Sequence, residues 1–333
     1  MKVVILTEAG KTIGLGHLAR CTSIYEAFKE RDVSPTLVVD GDDIVRELLS
    51  DKEHQILNWT KREDIALELV VGVDVAIVDS YLAGYQLYKS ISELAKIPVY
   101  LDDYKRLDYP KGVVVNGMVY AENLNYPGRD EITYLVGDKY ISLRKEFCDV
   151  PERIVRDQVE SVLITFGGSD PTNMTKQMLA MLCEYYPEMH KYVVLGAGFQ
   201  KTEEIKCMGD TKTQFLFHLN AIDMKKVMLL SDMAISAGGQ TLCELARTGV
   251  PTIAVATAEN QLNSISGWVE KRSILYAGWW QNTGLLKDVL DCLEMLHSNK
   301  LRESLSFNGQ RLVDGKGSMR LVGRIIDMFI GRG

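Results

Sequence analysis

One short segment holds the residue types for proton transfer beside a glycine turn: Gly14-Leu15-Gly16-His17-Leu18-Ala19-Arg20. A β-branched apolar run precedes it (Lys2 to Thr7) and reads as a buried parallel strand. Cys21 to Glu30 follows and reads as an amphipathic helix with Ile24, Ala27 and Phe28 on one side. The glycines therefore join a strand to a helix, where backbone can approach a ligand and the helix start offers N–H groups to an anion. His17 stands at the mouth of that helix. A helix start disfavours positive charge, so a neutral imidazole there is a candidate general base. Other readings share these residues. A tight turn with an incidental histidine is one. A nicotinamide site is another, since Ala19 fills the third glycine position and Asp40 lies about twenty residues on.

Further polar residues gather where apolar runs end. Val73 to Val78 ends at Asp79-Ser80-Tyr81, Pro98 to Leu101 at Asp102-Asp103, and Val113 to Val115 at Asn116. Each alone suits a turn or a helix cap. Together they mark the carboxyl edge of a parallel sheet, where α/β proteins bind ligands.

The second half repeats the device. Ser161 to Phe166 runs into Gly167-Gly168-Ser169-Asp170, with Pro171 suited to the first turn of the next helix. Met233 to Ser236 runs into Ala237-Gly238-Gly239-Gln240-Thr241, followed by a helix over Leu242 to Thr248. Backbone N–H groups and the Ser169, Gln240 and Thr241 side chains can hold a phosphate. Neither loop continues into Gly-Lys-Ser/Thr, which removes a Walker-type NTPase. Glu244 lies one turn past Gln240, where a carboxylate can accept from ribose hydroxyls. Asn260-Gln261 reads as a loop whose amides suit sugar hydroxyls.

The elements that must position these residues alternate strand and helix. Further strands are expected at Ser34–Val39, Tyr192–Leu195, Gln214–Leu216 and Pro251–Val255. Further helices are expected at Asp42–Leu49, Tyr85–Ala95, Met224–Leu230 and Leu321–Ile330. The expected fold is α/β: two doubly wound Rossmann-like domains, 1–150 and 151–333, facing an interdomain cleft. The polar stretch around Val150-Pro151-Glu152-Arg153 marks the join. A length of 333 residues suits two domains. A net charge of −7 argues against general nucleic-acid binding. No run is long enough for a membrane span, and the first apolar segment is too short for a signal peptide. Six scattered cysteines and five scattered histidines fit reduced thiols in a cytoplasm and carry no metal signature.

Taken in order, these motifs resemble the GT-B superfamily of nucleotide-sugar enzymes. Within it the chain is most similar to the UDP-2,4-diacetamido-2,4,6-trideoxy-altropyranose hydrolases of pseudaminic acid biosynthesis and their spore-coat polysaccharide relatives. Gly14–Arg20, Asp79-x-Tyr81, Asp102-Asp103, Asn116, Arg144-x-Glu146-Phe147, Phe166–Asp170, Ser236–Glu244, Asn260-Gln261 and Asp314-Gly315-x-Gly317 carry the resemblance. It implies inverting, metal-independent hydrolysis at the sugar C1, with His17 as base and Tyr81 and Asn260 near the sugar. Gly14, Gly16, Arg20, Asp79, Asp103, Asn116 and Gln261 would serve substrate binding. UDP, a ligand and product rather than a cofactor, would lie on the second domain. There it would meet Gly167, Gly168, Ser169, Ala237, Gly238, Gly239, Gln240 and Thr241 through its diphosphate, Glu244 through its ribose, and the backbone near Ile222–Met224 through its uracil. The chain departs from the family pattern at Ser80, where histidine is expected, and at Gln240, where smaller residues are common. A glycosyltransferase on the same scaffold and a non-catalytic nucleotide-sugar binder are the alternatives. The expected partner is a small-molecule nucleotide-sugar, and the expected state a monomer or weak dimer.

Overall fold

A computed structural model describes residues 1–10, 13–50, 52–200 and 202–331. The chain divides into two compact units: residues 1–145 with 315–333, and residues 146–314.

Unit 1 is built on seven strands: β1 (Val3–Ala9), β2 (Thr36–Gly41), β3 (His54–Ile56), β4 (Val75–Asp79), β5 (Ile97–Leu101), β6 (Gly112–Asn116) and β7 (Ile132–Val136). Their spatial order is β3-β2-β1-β4-β5-β6-β7, and every pair is parallel. The helices between them are α1 (Gly16–Lys29), α2 (Asp43–Leu48), α3 (Glu63–Val70) and α4 (Tyr85–Leu94). Alternate residues of each central strand feed two cores. Val3 and Ile5 of β1 and Ile77 of β4 join Ile24 and Phe28 of α1 on one face. Val4, Leu6, Ala76 and Val78 join Trp59, Leu87 and Tyr88 on the other. A strand buried on both faces reads as a continuous apolar run, as these do.

Unit 2 has six parallel strands: β8 (Ser161–Thr165), β9 (His190–Leu195), β10 (Thr213–Phe217), β11 (Met233–Ala237), β12 (Thr252–Ala256) and β13 (Ile274–Trp279). Their order is β10-β9-β8-β11-β12-β13. The helices are α5 (Met174–Tyr185), α6 (Thr202–Lys206), α7 (Ala221–Leu230), α8 (Thr241–Arg247), α9 (Gln261–Glu270), α10 (Leu285–Met295) and α11 (Asn299–Leu312). The irregular segment that opens this unit is held through its carbonyls. Arg247 donates to Phe147 O (3.0 Å) and Cys148 O (2.9 Å), Lys225 to Glu146 O (2.7 Å), and Gln310 Nε2 to Pro151 O (2.9 Å). The buried Arg302 donates to Arg156 O and Asp157 O. These bonds satisfy a backbone that has no sheet ladder.

The last helix, α12 (Gly317–Ile330), corrects the expected boundary. It belongs to unit 1, not to the second half of the chain that precedes it. Leu321, Val322 and Ile325 are fully buried among Ile24, Phe28 and Val99. Gly317 abuts residue 141 so closely that a Cβ there would lie 2.0 Å from Ile141 O. One local expectation also shifts. Pro171 lies in a turn, and α5 starts three residues later, after Asn173 in a left-handed conformation (φ 56°). Asp170 Oδ2 caps that start by accepting from Thr175 N at 2.6 Å. Among the described residues no helix is long and apolar enough to cross a membrane.

Candidate active site

The carboxyl ends of β1, β4, β5 and β6 and the first turn of α1 converge on one hydrogen-bonded group. The loop before α1 is closed by reciprocal bonds between Gly10 and Gly14 (3.1 and 2.7 Å). Gly14 has φ 86°, a conformation side chains resist, and exposed Gly16 opens the helix. His17 follows in the first helical turn and is 5% exposed.

Asp79, the last residue of β4 and fully buried, organises the rest. Its Oδ1 lies 2.6 Å from His17 Nδ1 and 2.5 Å from Arg20 Nη2, and its Oδ2 2.5 Å from Arg20 Nε. Burial alone would raise this carboxyl, but Arg20 and then His17 pull it well below the usual carboxylate range. A carboxylate this close to Nδ1 needs a proton between them. His17 therefore donates from Nδ1 and keeps the Nε2 lone pair for another proton. Arg20 Nη2 also approaches Nδ1 (3.1 Å), but with that nitrogen protonated the guanidinium donates to Asp79 instead.

Arg20 donates through Nη1 to Asp103, just beyond β5, and Asp103 accepts the Tyr81 hydroxyl. Burial and then Asp103 push the Tyr81 phenol upward. The Tyr81 ring meets His17 edge-on, with centroids 4.3 Å apart and planes at 85°. His17, Arg20, Asp79, Tyr81 and Asp103 thus form one continuous network. Asn116 supports it from inside. It is fully buried, donates to Asp103 O (2.8 Å) and Tyr126 OH (2.9 Å), and accepts from Met118 N (2.9 Å). Its two amide protons are used by the protein, and through them it braces Asp103. Asp40 is likewise engaged, accepting from Thr60 N and Oγ1.

Two residues of this edge escaped the sequence. Glu8, next to last in β1, is fully buried and accepts from Ser80 Oγ (2.5 Å) and Tyr81 N (2.7 Å). Tyr104, 41% exposed, lies 5.6 Å from the Tyr81 ring. Glu8 could have been found by the rule that found Asp79, since it too is an acid ending an apolar run.

In unit 2 the glycine loops follow β8 and β11. Gly167 has φ 83° and Gly168 is exposed. Gly198 N donates to Gly168 O (2.9 Å), and a Cβ at Gly196 would lie 2.5 Å from that oxygen, so two loops touch backbone to backbone. Ser169 is half-buried beside Gly198. Ala237 and Gly238 are buried, Gly239 is exposed, and Gln240 and Thr241 are half-buried at the start of α8. Glu244 is buried on that helix. Asn260 and Gln261 form the N-cap and first residue of α9, not a loop. Asn260 is exposed. Gln261 Oε1 accepts from Gly238 N (3.2 Å), Thr257 N (2.9 Å) and Thr257 Oγ1 (3.2 Å), so its carbonyl end ties α9 to the glycine loop. Near Met224, two amides are occupied: Asp223 N by Asn220 Oδ1 and Met224 N by Asn220 O. The Met224 side chain is buried.

No protein-family profile matches the chain. Among curated proteins it is similar to the spore coat polysaccharide biosynthesis protein SpsG of Bacillus subtilis, 24% identical over 99% of both chains. The uncharacterized protein MJ1062 of Methanocaldococcus jannaschii is 24% identical over 99% of this chain and 67% of its own length. The Helicobacter pylori pseudaminic acid cytidylyltransferase and UDP-2,4-diacetamido-2,4,6-trideoxy-beta-L-altropyranose hydrolase is 26% identical over 79% of this chain. That match covers 46% of the Helicobacter protein, so the chain spans under half of it. Solved structures of similar fold include Acinetobacter baumannii MurG (TM-score 0.68, 13% identity, 98% of this chain and 100% of that one). Staphylococcus aureus MnaA with UDP is another (TM-score 0.67, 13% identity, 98% and 96%). The chain therefore has the GT-B fold, and its relatives in sequence include SpsG and the Helicobacter altropyranose hydrolase.

Proposed function

We propose that the chain is an enzyme of nucleotide-sugar metabolism that hydrolyses a UDP-activated diacetamido-trideoxy sugar with inversion at C1. The observation that carries this reading is the His17–Asp79 pair at the start of α1. It presents an imidazole with its Nδ1 proton anchored and its Nε2 available. The sequence relatives supply the substrate class.

In this reading His17 Nε2 removes a proton from water as the water oxygen bonds to C1. The bond from C1 to the β-phosphate oxygen breaks, and its electron pair leaves with UDP. The glycine loops at Gly167–Ser169 and Gly238–Thr241 offer N–H groups to the growing phosphate charge, and Glu244 takes the ribose. UDP is a good leaving group, so positioning the water contributes more than a strong general acid. Nothing in these steps calls on a cofactor.

A second reading, glycosyl transfer to an acceptor hydroxyl, draws support from the glycosyltransferases among the fold neighbours. The deciding measurement is UDP release from UDP-diacetamido sugars with no acceptor present, the sugar followed by proton NMR. Rapid release of free sugar with inverted anomeric configuration supports hydrolysis. Tight UDP binding without release transfers the reading to a glycosyltransferase.

A further inference from the structure

Glu8 is a carboxylate in the middle of the sheet, fully buried. Among the described residues its hydrogen bonds are two. Oε2 accepts the Ser80 hydroxyl at 2.5 Å, and Oε1 accepts the Tyr81 backbone N–H at 2.7 Å. The strand register explains the meeting: Thr7 of β1 pairs with Asp79 of β4, which brings Glu8 beside the chain leaving β4. Burying such a group is costly unless its acceptors are used, and here both are.

The Ser80 hydroxyl makes the requirement specific. Its oxygen already accepts from Leu82 N (3.0 Å) and Ala83 N (2.9 Å). Both lone pairs are filled, and one proton is left to give. Its partner must be an acceptor. The Tyr81 N–H makes the same demand of the second Glu8 oxygen. A glutamine of the same shape presents one NH2 to one of these donors and fails there.

The turn held in this way carries Tyr81. Its ring edge lies against His17, and its hydroxyl donates to Asp103, which Arg20 also grips. From this chain of contacts we infer that Glu8 is a positioning residue: it fixes the Ser80–Ala83 turn so that Tyr81 holds the His17 imidazole at the angle its base role needs. The inference rests on the reading of His17 as the base. Glu8 itself touches neither His17 nor any reacting atom.

The test compares Glu8→Gln in two backgrounds, fed the UDP-diacetamido sugar. In the otherwise native enzyme kcat falls about 10-fold while KM stays within about 2-fold, the mark of misplaced machinery rather than lost binding. In a Tyr81→Ala background the same substitution changes kcat less than about 2-fold, because the element it acts through is gone. An equal loss in both backgrounds overturns the inference. NMR with 15N-tyrosine and ring-labelled histidine gives a readout independent of turnover. Glu8→Gln shifts both the Tyr81 amide and the His17 ring signals; a His17 ring that stays in place overturns the inference. Absence of UDP release from the native enzyme would instead remove the hydrolase reading, with the NMR comparison still deciding on Glu8. Should Glu8→Gln fail to fold, Ser80→Ala removes one of the two donors and carries the same comparisons.

Discussion

The proton on His17 Nδ1 decides what His17 can do, and Asp79 decides where that proton sits. Replacing His17 by Asn lowers turnover about 100-fold or more while UDP affinity, read by calorimetry, stays within error. Near-native turnover would remove the base assignment. Asp79→Asn makes a sharper case. The new amide NH2 donates toward Nδ1, the ring proton moves to Nε2, and the lone pair is lost. A fall of at least about 100-fold in kcat is expected with the fold intact. The same carboxylate sets a pH dependence of stability. Its folded value is depressed, with Arg20 and His17 overcoming the effect of burial. Its stabilisation is therefore complete above the unfolded value of about 3.9 and shrinks as pH falls below that toward the folded value. The difference in unfolding free energy between native protein and Asp79→Asn narrows as pH falls below about 4. A gap that widens on acidification would contradict this.

The elements themselves were legible wherever both faces of a strand are buried. β1, β4, β8 and β11 are continuous apolar runs and stand close to where the sequence places them. The strands the sequence left unmarked, β3, β7 and β13, are sheet edges. Edge strands bury less, so their apolar signal is broken: Ile132–Val136 is buried only at Ile132 and Leu135, and His54–Ile56 is only three residues long. The His17 group was legible because its acids end apolar runs. The partners of Asn116 and of the Gln261 carbonyl were not, since Asp103, Tyr126 and Gly238 reach these amides only through the fold. Gln261 matters at this scale, because it ties α9 to the loop after β11. A Cβ on Gly238 would lie 2.5 Å from Ile265 Cδ1 and 2.9 Å from Gln261 Cβ. Gly238→Ala is expected to push the two elements apart and weaken UDP binding about 10-fold, measured by titration calorimetry. Unchanged affinity would take that loop out of the nucleotide site.

For the whole molecule, the segment that most separates sequence from structure is α12. Its apolar stripe predicts burial against a sheet, and nothing local says which sheet. The answer is the one that β1 begins. Leu321→Ala should cost about 2–5 kcal/mol of unit 1 stability and speed hydrogen exchange in α1 more than in α5. Equal effects in both would contradict the assignment of α12 to unit 1. The return also bears on biosynthesis. A ribosome makes β1 first and α12 only after all of unit 2 has been made. Until then Ile24 and Phe28 lack the helix that covers them in the finished protein. Vectorial folding in this chain therefore runs against the order of synthesis: the domain made second can close first, and the first-made domain waits, with its apolar face open to chaperones, for the helix that seals it.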